Sequence, residues 1–203
     1  MTRRTLVAQR RIGILGGSFD PPHLAHLALG RCAVQALALD ELRWLPAGAP
    51  WQKSGRTMAP AADRLAMLTL LLADQEDAVI DTREIDRPGP TYTIDSLREL
   101  QAELPDAALF LVIGQDQYAH LHSWRDWPEL LDRVTLAVAA RDGALAAPPP
   151  ALAAHPHRIT TLAMPRLDIA ASDIRARCAA GLGVAPLVGQ AVAGYIDQHR
   201  LYT

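Results

Sequence analysis

At 203 residues and 22.0 kDa, the chain is long enough to bury a real core and short enough to favour one domain. Half of its residues are hydrophobic and 21% are charged, as in an ordinary globular protein, and a net charge of −2 excludes a global electrostatic footprint for DNA or RNA without excluding a local basic pocket. Cys32 and Cys178 are too few for a disulfide framework, and no apolar run reaches the ~18 residues of a membrane-spanning helix, so a reducing, cytoplasmic setting with no nucleic-acid or membrane partner is expected.

The opening MTRRTLVAQRR holds four arginines and no acid. It is too short for a targeting peptide and has no apolar region, so residues 1–10 are expected to be a short flexible arm on a single domain spanning 1–203. RIGILGG then reads as a buried strand ending in glycines, and HLALGRCAVQALALD as a helix from its apolar period. ELRWLPAG is a second strand, and APWQKSGRTMAPA a loop rich in breakers that carries Lys53, the only lysine of the chain. A helix follows over AADRLAMLTLLLAD, then a strand-like segment over DAVIDTREIDR. RPGPTYTIDSLRELQAEL reads as a loop and a helix capped at Thr93, and AALFLVIGQD as the clearest buried strand. SWRDWPELLDR is a short helix, VTLAVAAR a strand, DGALAAPPPALAAHPH a surface loop and RITTLAMP a last strand. ASDIRARCAAG and APLVGQAVAGYIDQHRLY close the chain as two helices. Strands alternating with helices predict an α/β fold, a mainly parallel sheet covered on both faces, with ligands at the carboxyl ends of the strands. GGSFD and GQD fall at two such ends.

Gly16 and Gly17 remove side chains where strand turns to loop, so a ligand can approach the backbone. The spacing is neither G-x-G-x-x-G nor a Walker loop. His23 and His26 fall near the first turn of the expected helix and, three apart, share a face. A helix start attracts phosphate through its free N–H groups and its dipole, and two imidazoles there add hydrogen-bond donors. A metal site needs a third ligand at suitable spacing, which the sequence does not offer. The plain alternative is one histidine as a cap and the other as packing. Farther on, Ser172 suits an N-cap, Asp173 a first helical turn, and Arg175 a fork onto phosphate oxygens.

GGSFDPPHLAH resembles the G-[GT]-[ST]-F-D-P-x-H-x-G-H signature of the nucleotidyltransferase superfamily, with Ala25 in place of the usual glycine. IAASDIR, Ile169 to Arg175, resembles that superfamily's I-S-[ST]-[ST]-x-[IV]-R signature, with Ala170 in place of a serine. Within it, PTYTIDSL, VIGQDQYAHLHSW and LPAGAPWQK are similar to the bacterial nicotinate mononucleotide adenylyltransferases, and the similarity runs from Arg11 to the closing YIDQHRLY. Gln52 stands where that family often has histidine, and Thr91 where it has serine.

The resemblance implies a Rossmann-like nucleotidyltransferase fold with C-terminal helices closing the site, and adenylyl transfer from ATP to nicotinate mononucleotide in NAD biosynthesis. His23, His26, Lys53 and Arg175 would carry catalysis. ATP would meet those four together with Gly16, Gly17, Ser18, Phe19, Gly114, Asp116, Ile169 and Ser172. The mononucleotide would meet Tyr92, Thr93, Trp124 and Arg125, with Trp124 stacking on the pyridine ring and Trp127 in the core. Mg²⁺ would ride on the ATP phosphates without a named protein ligand. The rival readings are another phosphate acceptor, nicotinamide mononucleotide first among them, and a non-catalytic nucleotide-binding module, which Ala25 and Ala170 would permit.

Overall fold

The computed structural model describes residues 9–50, 58–141, 145, 147–164 and 167–203. Its elements run β1 (Arg11–Gly17), α1 (Leu24–Leu37), β2 (Glu41–Pro46), β3 (Ala49–Pro50), α2 (Ala61–Leu71), β4 (Ala78–Ile80), α3 (Arg83–Asp86) and β5 (Pro90–Thr91). They continue with α4 (Thr93–Glu103), β6 (Ala108–Gly114), α5 (Gln115–Ala119), a 3₁₀ turn (Leu121–Ser123), α6 (Trp127–Arg133), β7 (Thr135–Arg141) and α7 (Pro150–Ala153). The last are β8 (Arg158–Met164), α8 (Ala171–Ala179), α9 (Ala185–Val188) and α10 (Gln190–His199).

The expected architecture is present. Six strands pair in the order β4-β2-β1-β6-β7-β8, and every pairing is parallel. Along β6 the side chains alternate between two faces and both are buried, which is why the sequence shows an unbroken apolar run. Leu109, Leu111 and Ile113 pack with Ile12, Ile14, Leu136 and with Ile94, Leu97 and Leu100 of α4. Phe110 and Val112 face the other way, toward Leu15, Leu42, Trp44, Ala33 of α1 and Leu68 of α2. A third cluster joins Met67 and Leu71 of α2 to Ile174 of α8, Val188 of α9, and Val192 and Ile196 of α10, so the closing helices dock on α2. No helix among the described residues is long and apolar enough to cross a membrane.

The chain order reverses between β1 and β6. After β1 the chain builds outward through β2 and β4; from β6 it builds the other way through β7 and β8. The pairing between the two runs only from Arg11↔Ala108 to Ile14↔Leu111, although β1 continues to Gly17 and β6 to Gly114. The unpaired carboxyl ends of the two strands thus flank the switch point, the crevice at which this architecture binds ligands.

Several local expectations are corrected. The segment 77–87 is a strand only over Ala78–Ile80. The Asp81 carboxylate accepts the backbone N–H of Arg83 at 3.2 Å, which turns the chain into α3 instead. The cap of α4 is Tyr92, in extended conformation, and Thr93 is already the first helical residue. The closing segment 185–202 breaks into α9 and α10 at Gly189, whose φ of 86° suits a residue without a Cβ. The Pro/Ala loop contains the single turn α7. Of the expected arm, residues 1–8 lie outside the described residues, and Arg10 already accepts the N–H of Ala108 at 2.8 Å.

Candidate active site

The loop from Gly16 to His23 leaves β1 at the crevice and enters α1 with His23 as the N-cap. Phe19 sits at φ 47° and is turned into the core, 5.8 Å from the Trp44 ring and edge-on to His26 at 5.1 Å. A Cβ on Gly17 would press on the Phe19 ring at 3.2 Å, so that glycine is set by packing, whereas one on Gly16 or Gly114 would meet nothing within 4 Å. The two glycines at the mouth of the crevice therefore leave backbone open to an incoming group.

His23 and His26 are brought together. Their rings stack at 3.6 Å between centroids, and the His23 backbone N–H donates to His26 Nδ1 at 3.2 Å. Because Nδ1 accepts, the proton of the neutral His26 ring lies on Nε2, which makes that atom a donor. His23 is buried, its Nδ1 has no hydrogen-bond partner among the described residues, and His26 is the more exposed of the two.

Burial pushes the His23 pKa from 6.5 down to about 4, so its ring is neutral at pH 7. An unfolded chain takes up this proton near pH 6.5 and the folded one only near 4. Between those values the unfolded state binds more protons. Stability is therefore complete above pH 6.5 and is lost progressively as pH falls toward 4. Thermal unfolding across this window should show the acid loss, and His23→Asn should flatten it. Equal slopes for the two proteins would place the acid sensitivity elsewhere.

The two sequence motifs meet at Asp20. Its carbonyl accepts Arg175 Nη1 at 2.6 Å, and its carboxylate Oδ2 lies 3.9 Å from the same nitrogen. Oδ1 accepts the Tyr202 hydroxyl at 2.8 Å and the Ala59 N–H at 3.2 Å. Beside it, Arg64 of α2 is buried and donates to three carbonyls: Ser18 at 2.8 Å, Ala59 at 3.1 Å and Gly48 at 3.4 Å. Burial pulls the Arg64 pKa down, and the charge of Asp20 opposes that shift. Sequence reasoning missed Asp20, Arg64 and Tyr202. Asp20 and Tyr202 stand inside quoted motifs, while Arg64 looks like any arginine on a helix.

Ser172 is not the cap of α8. The cap is Ala170 in extended conformation, and Ser172 lies inside the first turn, exposed, donating to Asp173 Oδ1 at 3.2 Å. Asp173 does occupy the first turn as expected, and Ile169 packs on the third cluster.

Across the crevice, Gly114 caps α5 and Asp116 sits in its first turn, with its carbonyl 2.9 Å from His120 Nδ1. The Arg125 guanidinium lies over the Tyr92 ring at 4.6 Å, so residues 33 positions apart are brought into one cation–π contact. Trp124 and Trp127 are both half-buried against the first cluster. They differ in their surroundings: Trp127 meets His155 edge-on at 5.4 Å, while the buried Trp124 Nε1 has no hydrogen-bond partner among the described residues. Lys53 and Gln52 lie outside the described residues. Among those described, no group of three His, Cys, Asp or Glu side chains could hold a metal ion. A cleft of about 240 Å³ between α1 and the β2–β4 edge, lined by Arg31, Gln35, Trp44 and Gln75 among others, contains none of the expected site residues.

Comparison with known proteins gives the family and the fold. The profile of cytidylyltransferase-like proteins matches residues 14–177. A protein of Methylibium petroleiphilum named "Probable nicotinate-nucleotide adenylyltransferase" is 52% identical over 199 residues, covering 96% of this chain and 93% of its own. A protein of the same name from Bordetella petrii is 46% identical over 197 residues, covering 95% and 99%. Among solved structures, nicotinic acid mononucleotide adenylyltransferase of Plasmodium falciparum complexed with NaAD superposes with a TM-score of 0.78, covering 96% of this chain and 98% of that one. At 18% identity that likeness speaks for the fold alone.

Proposed function

The chain belongs to the nicotinate-nucleotide adenylyltransferase family of cytidylyltransferase-like proteins, and from that premise we propose that it transfers the adenylyl group of ATP to nicotinate mononucleotide, releasing pyrophosphate and forming nicotinate adenine dinucleotide for NAD biosynthesis. The observation that carries this reading is the meeting of the histidine-bearing loop with Arg175 of α8 at Asp20, beside a crevice at the strand switch point. Two distant motifs suited to phosphate converge at one mouth.

In this reaction a phosphate oxygen of the mononucleotide attacks the α-phosphorus of ATP. The new P–O bond forms as the bridge to the β-phosphate breaks, and pyrophosphate leaves with the electron pair. A phosphate monoester has its second pKa near 6, so the nucleophile is already largely ionised at pH 7 and no general base is needed. What remains is positioning and charge stabilisation. His26 Nε2–H donates to an α-phosphoryl oxygen, and His23, neutral, supplies at most one further N–H. Lys53 and Arg175 hold the β- and γ-phosphates with the backbone from Gly17 to Phe19, while Ile169 and Ser172 flank them. Gly114 and Asp116 meet the nucleoside.

A flat, cationic pyridinium suits an indole face, which is the role of Trp124. Its carboxylate is met by the N–H groups of Tyr92 and Thr93 and by Arg125. Mg²⁺ riding on the triphosphate would supply charge neutralisation there. Asp20, three residues before His23, is buried and already accepts O–H and N–H donors, so the ion would be held by substrate oxygens and water.

Pyrophosphate release tests the reading directly. With ATP and Mg²⁺, nicotinate mononucleotide should be turned over faster than nicotinamide mononucleotide. Faster use of the amide would overturn the choice of acceptor, and no release with either would favour a binding module.

A further inference from the structure

The roles assigned above use both histidines and Arg175 but leave Asp20 and Tyr202 with no part in the reaction. Asp20 is 1% exposed. A carboxylate so placed is tolerated only when partners surround it: the Tyr202 hydroxyl beyond α10 and the Ala59 N–H before α2 donate to it, and the charge of Arg175 of α8, which itself donates to the Asp20 carbonyl, lies 3.9 Å away. Asp20 is therefore the point at which the entry to α2, the phosphate-directed arginine and the chain end past α10 are joined to the histidine loop.

The linkage from Asp20 to the histidines is stiff. Only Pro21 and Pro22 separate Asp20 from His23, and each proline ring locks its own φ. A displacement of Asp20 is thus passed on to His23, and from there to His26, which holds the His23 N–H and stacks on its ring. The same displacement moves the carbonyl on which Arg175 rests. Tyr202 reaches Asp20 through its hydroxyl, while its ring packs on the third cluster. Burial and the adjacent carboxylate raise the Tyr202 pKa, so the hydroxyl stays a donor at all working pH values.

We propose that Tyr202 and Asp20 are positioning residues for adenylyl transfer: the hydroxyl of Tyr202 holds the Asp20 carboxylate, and Asp20 sets the spacing between the His23–His26 pair and Arg175. This rests on the adenylyl-transfer reading given above. A shift of a fraction of an ångström in these donors reduces their alignment with the reacting phosphate far more than it reduces substrate binding.

The test uses Tyr202→Phe, Asp20→Asn and the double variant in the full chain. Tyr202→Phe keeps the packed ring and should lower kcat about 10-fold at saturating substrates, with KM for ATP and mononucleotide within about threefold of wild type. Because the two residues act in series, the double variant should be no slower than Asp20→Asn within about twofold. A kcat for Tyr202→Phe within about twofold of wild type overturns the proposal. So do losses that multiply in the double variant, or a kcat loss matched by loss of folded protein in circular dichroism at the assay temperature. Nuclear magnetic resonance of the histidine rings supplies a readout that needs no turnover. In Tyr202→Phe the His23 titration should rise from about 4 toward 6.5 as the loop loosens, and an unchanged titration also overturns the proposal. Wild-type protein that releases no pyrophosphate, with the histidine titration nevertheless shifted by Tyr202→Phe, would sink the adenylyl-transfer reading and leave the Tyr202–Asp20–histidine linkage standing.

Discussion

Replacing His26 by alanine should lower kcat by roughly 100-fold or more, about 2.7 kcal/mol of transition-state stabilisation, with a smaller change in KM. Three features make the effect large. His26 Nε2 is the donor atom, since Nδ1 is occupied by the His23 N–H at 3.2 Å. His23 does not make up for it, because it is the more buried of the two rings and its single N–H is already counted in the reaction. The charge that His26 meets appears on the α-phosphate only as the new bond forms, so losing the donor weakens the transition state more than the ground state. Alanine also removes the acceptor of the His23 N–H, and His26→Asn separates the two roles. Its side-chain oxygen lies about where Nδ1 lay, so the loop keeps its hydrogen bond while the reacting phosphate loses its donor. The asparagine variant should unfold at a temperature close to wild type and still lose most of its kcat. Turnover within about threefold of wild type would remove His26 from the reaction.

The second large effect is on stability. Arg64→Ala should destabilise the fold by about 3–5 kcal/mol, the range for breaking a buried charged network by removing one partner. The Arg64 side chain is buried, and it donates to the carbonyls of Ser18, Ala59 and Gly48. Truncation leaves those three buried acceptors without their donor and removes a positive charge that acts on Asp20. Arg64→Lys should recover only part of the loss, because one ammonium cannot reproduce a planar fork aimed at three acceptors. The midpoint of denaturant unfolding measures both, and a loss below about 1 kcal/mol for the alanine variant would mean that water takes over the carbonyls.

Much of the fold was legible because its signals are local. The apolar run of β6 shows burial on both faces, and the 3.6-residue period over 26–37 shows α1. Where local signals compete, the reading slipped. Asp81 and Arg83 turn a strand-like segment into α3 by a contact two residues long that the β-branched pattern hides. Ser172 has the right chemistry for a cap but stands two residues past the actual one, a boundary that the neighbouring alanines do not mark.

The candidate site divides in the same way. His23, His26 and Arg175 were picked out by residue type and spacing. Arg64 was not, because a buried guanidinium with three carbonyl acceptors and an exposed one look alike along a chain. Nothing in the sequence orders β1 beside both β2 and β6, and that placement sets the switch point between the unpaired strand ends.

By itself, then, the sequence determined the alternation of strands and helices, the apolar faces that cover the sheet, and the residue types of two phosphate-directed motifs. Each of these depends on neighbours within a few positions. The tertiary structure alone decided that His26 offers Nε2, that His23 is neutral, and that Asp20 receives Tyr202 from 182 positions away and Arg175 from 155. Burial and long-range hydrogen bonds are properties of the packed chain, and they set the charge state and the direction of donors that the sequence could only name.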